Sequence, residues 1–202
     1  MFIQVIQGQA RHAEPIYVEL DQWMKELASS AAGWLGTTAG VTGDGRFIGF
    51  SRWESEQAAR THSARPDQDH WWRAFSVLFA ERPTFIESHD IFLDLHGDPN
   101  KARFVQFMQG RGRNPGRARE LMGAHREQWA AFRPEILGTV GCLYGDGEYT
   151  MASYYVDESS AREGERKQPP PELKAEMDEM MSLAEGAPQF FDLREPWIEA
   201  PV

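Results

Sequence analysis

Phe2-Ile3-Gln4-Val5-Ile6-Gln7-Gly8 returns 102 residues later as Phe104-Val105-Gln106-Phe107-Met108-Gln109-Gly110. The same offset carries LGTTAGVTGDGRF (Leu35 to Phe47) onto LGTVGCLYGDGEY (Leu137 to Tyr149), and sixteen of the fifty-nine positions from 2 to 60 are identical without a gap. A period near a hundred residues is too long for a solenoid unit, so each copy is expected to be a domain with its own core. The organisation that follows is a first repeat over 1–96, a linker over 97–102 and a second repeat over 103–202. Copies of this size are marginal alone, so each is expected to lean on the other.

Within one copy, Phe2 to Gln7 is short, apolar and closed by Gly8, as a buried strand should be. Ile16, Leu20, Trp23 and Leu27 then recur at helical spacing along one stripe. Trp34 to Thr42 and Arg46 to Trp53 are rich in β-branched and aromatic residues, and Gly43-Asp44-Gly45 between them suits a tight hairpin. Helical segments follow at Glu54 to His62 and from Pro66, the latter carrying Trp72, Phe75 and Phe79. After Pro83, Thr84 to Leu95 alternates like one last strand. The order strand, helix, strand, strand, helix, strand is the split βαβ, or ferredoxin-like, unit.

The second copy predicts a helix over 114–132, strands over 136–144 and 148–156, and a Met-rich last helix with Leu173, Met177 and Met180. Its final strand, from Gln189 to Ile198, should be disturbed by Pro196. Pro83-Thr84-Phe85 matches Pro188-Gln189-Phe190, so the offset grows from 102 to 105 late in the repeat. The gain falls most simply near Lys167 to Pro171.

Both faces of the hairpin strands are apolar, with Phe47, Gly49, Ser51 and Trp53 alternating with Ile48 and Phe50. A sheet covered by helices on one face then needs a second sheet on the other. In element order, in its F-x-Q-x-x-Q-G strand, in its L-G-T hairpin and in its duplication, the chain resembles the dimeric α/β-barrel superfamily. Within it the likeness is to antibiotic-biosynthesis-type monooxygenases and stress-responsive barrel proteins. The resemblance implies an α+β fold in which two tandem ferredoxin-like repeats pack sheet to sheet as an intrachain pseudo-dimeric barrel. It also implies pockets between each sheet and its own helices.

The bulk composition narrows the functional classes. A net charge of −10 argues against a nucleic-acid partner, which needs clustered cations to displace counterions. No apolar run reaches the length of a membrane span, and the N-terminus enters a strand at once, so a cytoplasmic protein is expected. The lone cysteine, Cys142, fits a reducing compartment and a small buried filler better than a nucleophile. No zinc spacing, phosphate loop or G-x-S-x-G elbow occurs.

Comparison of the copies suggests where chemistry sits, because polar residues on buried faces that differ between repeats serve one pocket rather than the shared fold. Gln4 and Gln106 recur on a covered face, where each buried amide must find a partner in the fold or in a ligand. Trp23 becomes His125, Arg52 becomes Tyr154, and His89 becomes Arg194. The expected site is an aromatic pocket of the first repeat bounded by Trp23, Arg52, Trp72, Phe75 and His89, taking a small apolar or aromatic ligand without a cofactor.

Two functions compete: a non-catalytic or stress-type binding protein, and a cofactor-independent monooxygenase of aromatic or polyketide-like substrates. In the enzyme, His89 or His125 would be the assisting base and Arg52 would stabilise the oxyanion. A haem-binding reading rests on His62, His70, Trp71 and Trp72, and is weakened because Ala175 replaces His70 in the second copy and the first strand has glutamine where haem-degrading relatives use asparagine. Further homo-oligomerisation is left open.

Overall fold

The computed structural model describes residues 1–200 and divides the chain into two compact units. The first comprises Met1–Ile91 and the return segment from Glu195; the second is Phe92–Arg194. Each is a five-stranded antiparallel sheet with helices, so the α+β class and the tandem ferredoxin-like repeat are as the sequence predicts.

The first unit runs β1 (Phe2–Gln9), α1 (Ala13–Glu26), β2 (Trp34–Val41), β3 (Arg46–Trp53), α2 (Glu56–Ser63), α3 (Pro66–Ser76) and β4 (Thr84–Ser88). The predicted strand from Thr84 to Leu95 is two strands. Ser88 Oγ accepts the Asp90 N–H at 2.9 Å, and β5 (Asp90–Leu95) continues beyond this break. The second unit follows with β6 (Phe104–Arg111), α4 (Pro115–Ala124), α5 (Arg126–Phe132), β7 (Ile136–Tyr144), β8 (Glu148–Tyr155), α6 (Glu158–Arg166), α7 (Pro171–Leu183) and β9 (Gln189–Leu193). The single helix predicted over 114–132 breaks at His125, whose backbone (φ −126°, ψ 41°) leaves the helical region. Pro196 divides the last predicted strand, which resumes as β10 (Trp197–Glu199).

The first sheet is ordered β10-β2-β3-β1-β4 and the second β5-β7-β8-β6-β9. The last strand of the chain thus edges the first sheet, Trp197 lying opposite Ala39. Helix α1 holds this return segment: Tyr17 donates its hydroxyl to the Glu195 carbonyl at 2.8 Å, and Trp197 Nε1 donates to Asp21 at 2.9 Å.

The glycine of the repeated L-G-T has a physical reason. Strand β2 shifts register between Trp34 and Gly36, and β7 between Ile136 and Gly138. At Gly36 φ is +126°, and a Cβ there would lie 2.8 Å from the Glu199 carbonyl oxygen. Substituting Gly36 with alanine therefore combines a strained backbone with a collision against the edge strand, and is expected to cost about 1–3 kcal/mol in thermal or urea unfolding. Gly138→Ala, at ordinary φ and facing mainly the Leu95 side chain, should cost less. Equal costs would mean that backbone conformation is not what holds this glycine.

In the first unit, Phe2, Phe47 and Trp53 of the sheet pack under Ile16, Leu20 and Trp23 of α1 and Phe75 of α3. The opposite face of the same strands carries Ile3, Val5, Ile48 and Phe50, all fully buried. Alternation in β1 and β3 thus gives two apolar faces, one of which lies under helices.

Candidate functional site

Between the first sheet and its own helices lies a cavity of about 540 Å³. Its floor is made by side chains at alternate positions: Gln4 and Ile6 of β1, Thr37 and Ala39 of β2, and Phe47, Gly49, Ser51 and Trp53 of β3. Gly49 contributes no side chain, which leaves depth at the centre. The roof comes from Trp23 of α1, from Arg60 and His62 of α2, and from Trp71, Trp72 and Phe75 of α3. Phe75 is the hub of this aromatic wall, stacking on Trp71 at 4.8 Å between centroids and meeting Phe47 edge-on at 5.7 Å.

The predicted Gln4, Trp23, Trp72 and Phe75 all line the cavity. Arg52 and His89 do not. Arg52 alternates with Ser51 and Trp53, so it stands on the other face of β3, with its Nε buried and without a hydrogen-bond partner. His89 lies between β4 and β5 with 64% of its side chain exposed, its Nε2 2.9 Å from Glu56. His125 and Gln106 belong to the second unit. His125 Nδ1 is hydrogen-bonded to the buried Glu176 carboxylate, which also accepts from Trp129 Nε1 at 2.7 Å.

Superposing the repeats by offset explains several identical pairs. Gln4 Nε2 donates to Glu87 at 2.9 Å, Arg60 binds the same carboxylate and also Glu56, and the Arg60 guanidinium lies 6.0 Å from the Phe2 ring. In the second unit Gln106 donates to Asp192 at 2.8 Å, Arg162 binds Asp192 and Glu158, and Arg162 lies 5.2 Å from Phe104. His89 and Arg194 complete the match, each facing the first glutamate of its helix. This network ties the first strand, the short helix and the β4 or β9 strand together in both repeats. In the first it also forms one rim of the cavity, through Gln4, Arg60 and Glu87.

Sequence reasoning names His62 only in the haem reading and leaves it out of the aromatic pocket, whose wall it joins. Helix α2 starts at Ser55, whose Oγ accepts the Ala58 N–H at 3.1 Å, and it buries Ala59 and His62 three residues apart. His62 is 4% exposed and packs between Trp23 (5.8 Å) and Trp53 (5.2 Å). Its Nε2 lies 2.7 Å from Gln68 Oε1, and Trp23 Nε1 donates to that same oxygen at 2.8 Å. An indole N–H only donates, so the shared atom is the carbonyl oxygen, and His62 Nε2 must carry the hydrogen. Nδ1 is then the lone-pair nitrogen; it is buried and has no partner. Applied to α2, the rule that differing buried polar residues serve one pocket would have found it. The counterpart of His62 is Gly164, whose missing side chain leaves the space to the Arg133–Glu135 ion pair.

Burial pushes the His62 imidazole below its ordinary value of 6.5, against the opposing pull of the Gln68 hydrogen bond. A depressed folded-state value means that the unfolded chain binds the proton first. The stability associated with neutral His62 is complete above about pH 6.5 and is lost as the pH falls below it. Thermal melts from pH 7.5 to 5 should therefore show a steeper fall for the native chain than for His62→Gln; parallel profiles would contradict a buried neutral imidazole.

The second unit has a smaller cavity of about 210 Å³. Ile6, Leu20, Gly49 and Phe75 are replaced there by Met108, Met122, Met151 and Met180, which line it. The methionine at the Gly49 position occupies the depth that the first unit leaves open. Among the described residues no group of three or more His, Cys, Asp or Glu side chains is placed to hold a metal ion, and no helix is long and apolar enough to cross a membrane.

No family model matches the sequence, and no curated protein matches it. Solved structures do. A candidate monooxygenase from Fusobacterium nucleatum matches with a TM-score of 0.74 at 11% identity, over 98% of this chain and 94% of that one. A candidate monooxygenase from Lactobacillus acidophilus matches with a TM-score of 0.70 at 11% identity, over 98% of both chains. An anthrone oxidase-like protein matches with a TM-score of 0.64 at 12% identity, over 98% of this chain and 92% of that one. At such identities the likeness concerns the fold alone: the chain shares with these proteins a tandem of two ferredoxin-like repeats.

Proposed function

We propose that the first repeat binds a small aromatic molecule in the cavity between its sheet and helices. The observation that carries this reading is the cavity itself: about 540 Å³, walled by Trp23, Trp71, Trp72 and Phe75, with polar groups at the Gln4–Arg60–Glu87 rim, at Thr37 and Ser51 of the floor and along the His62–Gln68 edge. Such a volume suits a planar molecule of two or three fused rings, and mostly apolar walls with a few placed polar atoms are what ligand sites use. Equilibrium dialysis against naphthalene tests it. Micromolar to submillimolar binding, with one site per chain, is expected; no uptake at saturation would refute it.

A second reading is cofactor-independent oxygenation, favoured by a histidine, His62, in the wall of an aromatic enclosure and by the names of the structural relatives. The ring methylene of an anthrone-like substrate would lose a proton to a base, and the carbanion would reduce dioxygen. The resulting hydroperoxide would lose water to leave a ketone, so that one oxygen atom enters the product and the other leaves as water. The enclosure would hold the two reactants together and keep bulk water away. Oxygen uptake with 1,8-dihydroxyanthrone tests this reading, with a rate above the spontaneous one that falls in His62→Phe; a rate equal to the blank leaves ligand binding alone.

A further inference from the structure

We propose that the smaller cavity of the second repeat is a binding site in its own right, taking the chain of a medium-length aliphatic carboxylate whose head group lies at Arg113 and Arg119. The inference does not depend on what the first cavity binds. Met108 of β6, Met122 of α4, Met151 of β8 and Met180 of α7 converge from four elements on a space of about 210 Å³. All four are only partly buried, so their side chains keep accessible surface, whereas the corresponding Leu20, Gly49 and Phe75 of the first repeat are buried. Methionine is unbranched and polarisable, and four of them mould around a flexible chain rather than offering the flat faces on which a ring stacks. The volume falls below the roughly 300 Å³ at which sites for drug-sized molecules begin, which suits a single narrow chain.

Charge selects the head group. Among the described residues that line this cavity, the charged ones are both arginines, in a chain of net charge −10. The repeats use these two positions differently. Arg11, the counterpart of Arg113, donates to the Phe79 and Ala80 carbonyls at 3.0 and 3.4 Å, while Arg113 has 68% of its side chain exposed and reaches Glu185 at 3.6 Å. The counterpart of Arg119 is Tyr17, whose hydroxyl donates to the Glu195 carbonyl and accepts the Val41 N–H; Arg119 is exposed. Two positions that the first repeat spends on its own backbone thus become cations where the second cavity meets solvent. A guanidinium offers a carboxylate two parallel N–H donors, and an ammonium head would meet like charge with no lining carboxylate to pair with. An apolar interior with cations at one end fits an amphiphilic anion.

The test titrates the full chain, carbon-13 labelled at its methionine methyl groups, with octanoate, each signal being assigned from a Met→Leu variant. Saturable shifts are expected at Met108, Met122, Met151 and Met180, with Met24, Met177 and Met181 unmoved. From butanoate to octanoate, affinity should rise about three- to fourfold per methylene, as burial of each CH₂ allows. The double variant Arg113→Gln with Arg119→Gln changes two exposed side chains; it should weaken octanoate about tenfold and leave 1-octanol within about twofold. Octylammonium should bind at least tenfold more weakly than octanoate. No shift at the four methionines at saturation, or shifts confined to Met24, would overturn the site. Equal affinity for octanoate and octylammonium, or for octanoate with and without the two arginines, would overturn the assignment of an anion. Naphthalene binding in the first repeat is read separately and bears on neither result.

Discussion

The paired substitution Ala39→Gly with Gly49→Met is expected to close the first cavity and reduce binding of naphthalene or 1-naphthol by roughly 100-fold or more, with the protein still folded. The second repeat supplies the design. Ala39 lies opposite Gly49 in the β2–β3 register, and Gly141 lies opposite Met151 in the β7–β8 register. The small and large members of the pair are exchanged between repeats. Gly49→Met alone should be destabilising by about 1–3 kcal/mol, because a Cβ at Gly49 would come within 2.9 Å of the Ala39 Cβ. Adding Ala39→Gly removes that contact, so the double variant should recover most of the lost stability, and the coupling should appear in a double-mutant cycle. Binding retained at native affinity in a folded double variant would place the ligand elsewhere.

The largest effect on stability is expected at Phe75. It is 1% exposed and packs against Phe47, Phe79, Trp71 and Trp72, with centroid distances between 4.8 and 5.7 Å. Phe75→Ala removes a ring that four others need and enlarges a cavity whose roof cannot collapse onto a sheet floor lacking side chains at Gly49. The expected loss is about 3–5 kcal/mol, read as a lower urea midpoint at unchanged denaturant slope. Met180 occupies the corresponding place in the second unit and lines a smaller cavity, so Met180→Ala should cost less, about 2–3 kcal/mol. A Phe75→Ala loss below about 1 kcal/mol would mean that the aromatic wall is not a packed core.

Much of this architecture is legible in the sequence because period-two and helical patterns are duplicated, and each copy corroborates the other. The two strand breaks are harder to see. Thr84 to Leu95 alternates without interruption, and only the Ser88–Asp90 backbone capture divides it; in the second copy Pro196 announces the same break openly. The helix over 114–132 reads as continuous because its only signal at the break, Gly123, is one that helix interiors often tolerate. Its break accompanies the His125 and Trp129 hydrogen bonds to Glu176, a residue fifty-one positions from His125.

The candidate site is legible where it depends on local pattern. Trp23, Trp72 and Phe75 lie on helical stripes, and a stripe points at the sheet whatever else happens. Gln4 was legible as a buried amide, while its partner Glu87 was not, because the pairing depends on β1–β4 register. His62 illustrates the remaining limit. Its role comes from convergence with Gln68 and Trp23, three residues on three helical segments, and from an orphaned nitrogen that no pattern of residue types records.

The central claim is that the first repeat alone keeps an open aromatic cavity with His62 in its wall. Crystals of the full chain soaked with 4-bromo-1-naphthol test it most directly through the anomalous signal of bromine. One bromine site per chain is expected, in the cavity of the first repeat beneath Trp23 and Trp72. A bromine site confined to the methionine-lined cavity of the second unit, or no ordered site with the first cavity filled by side chains, would contradict it.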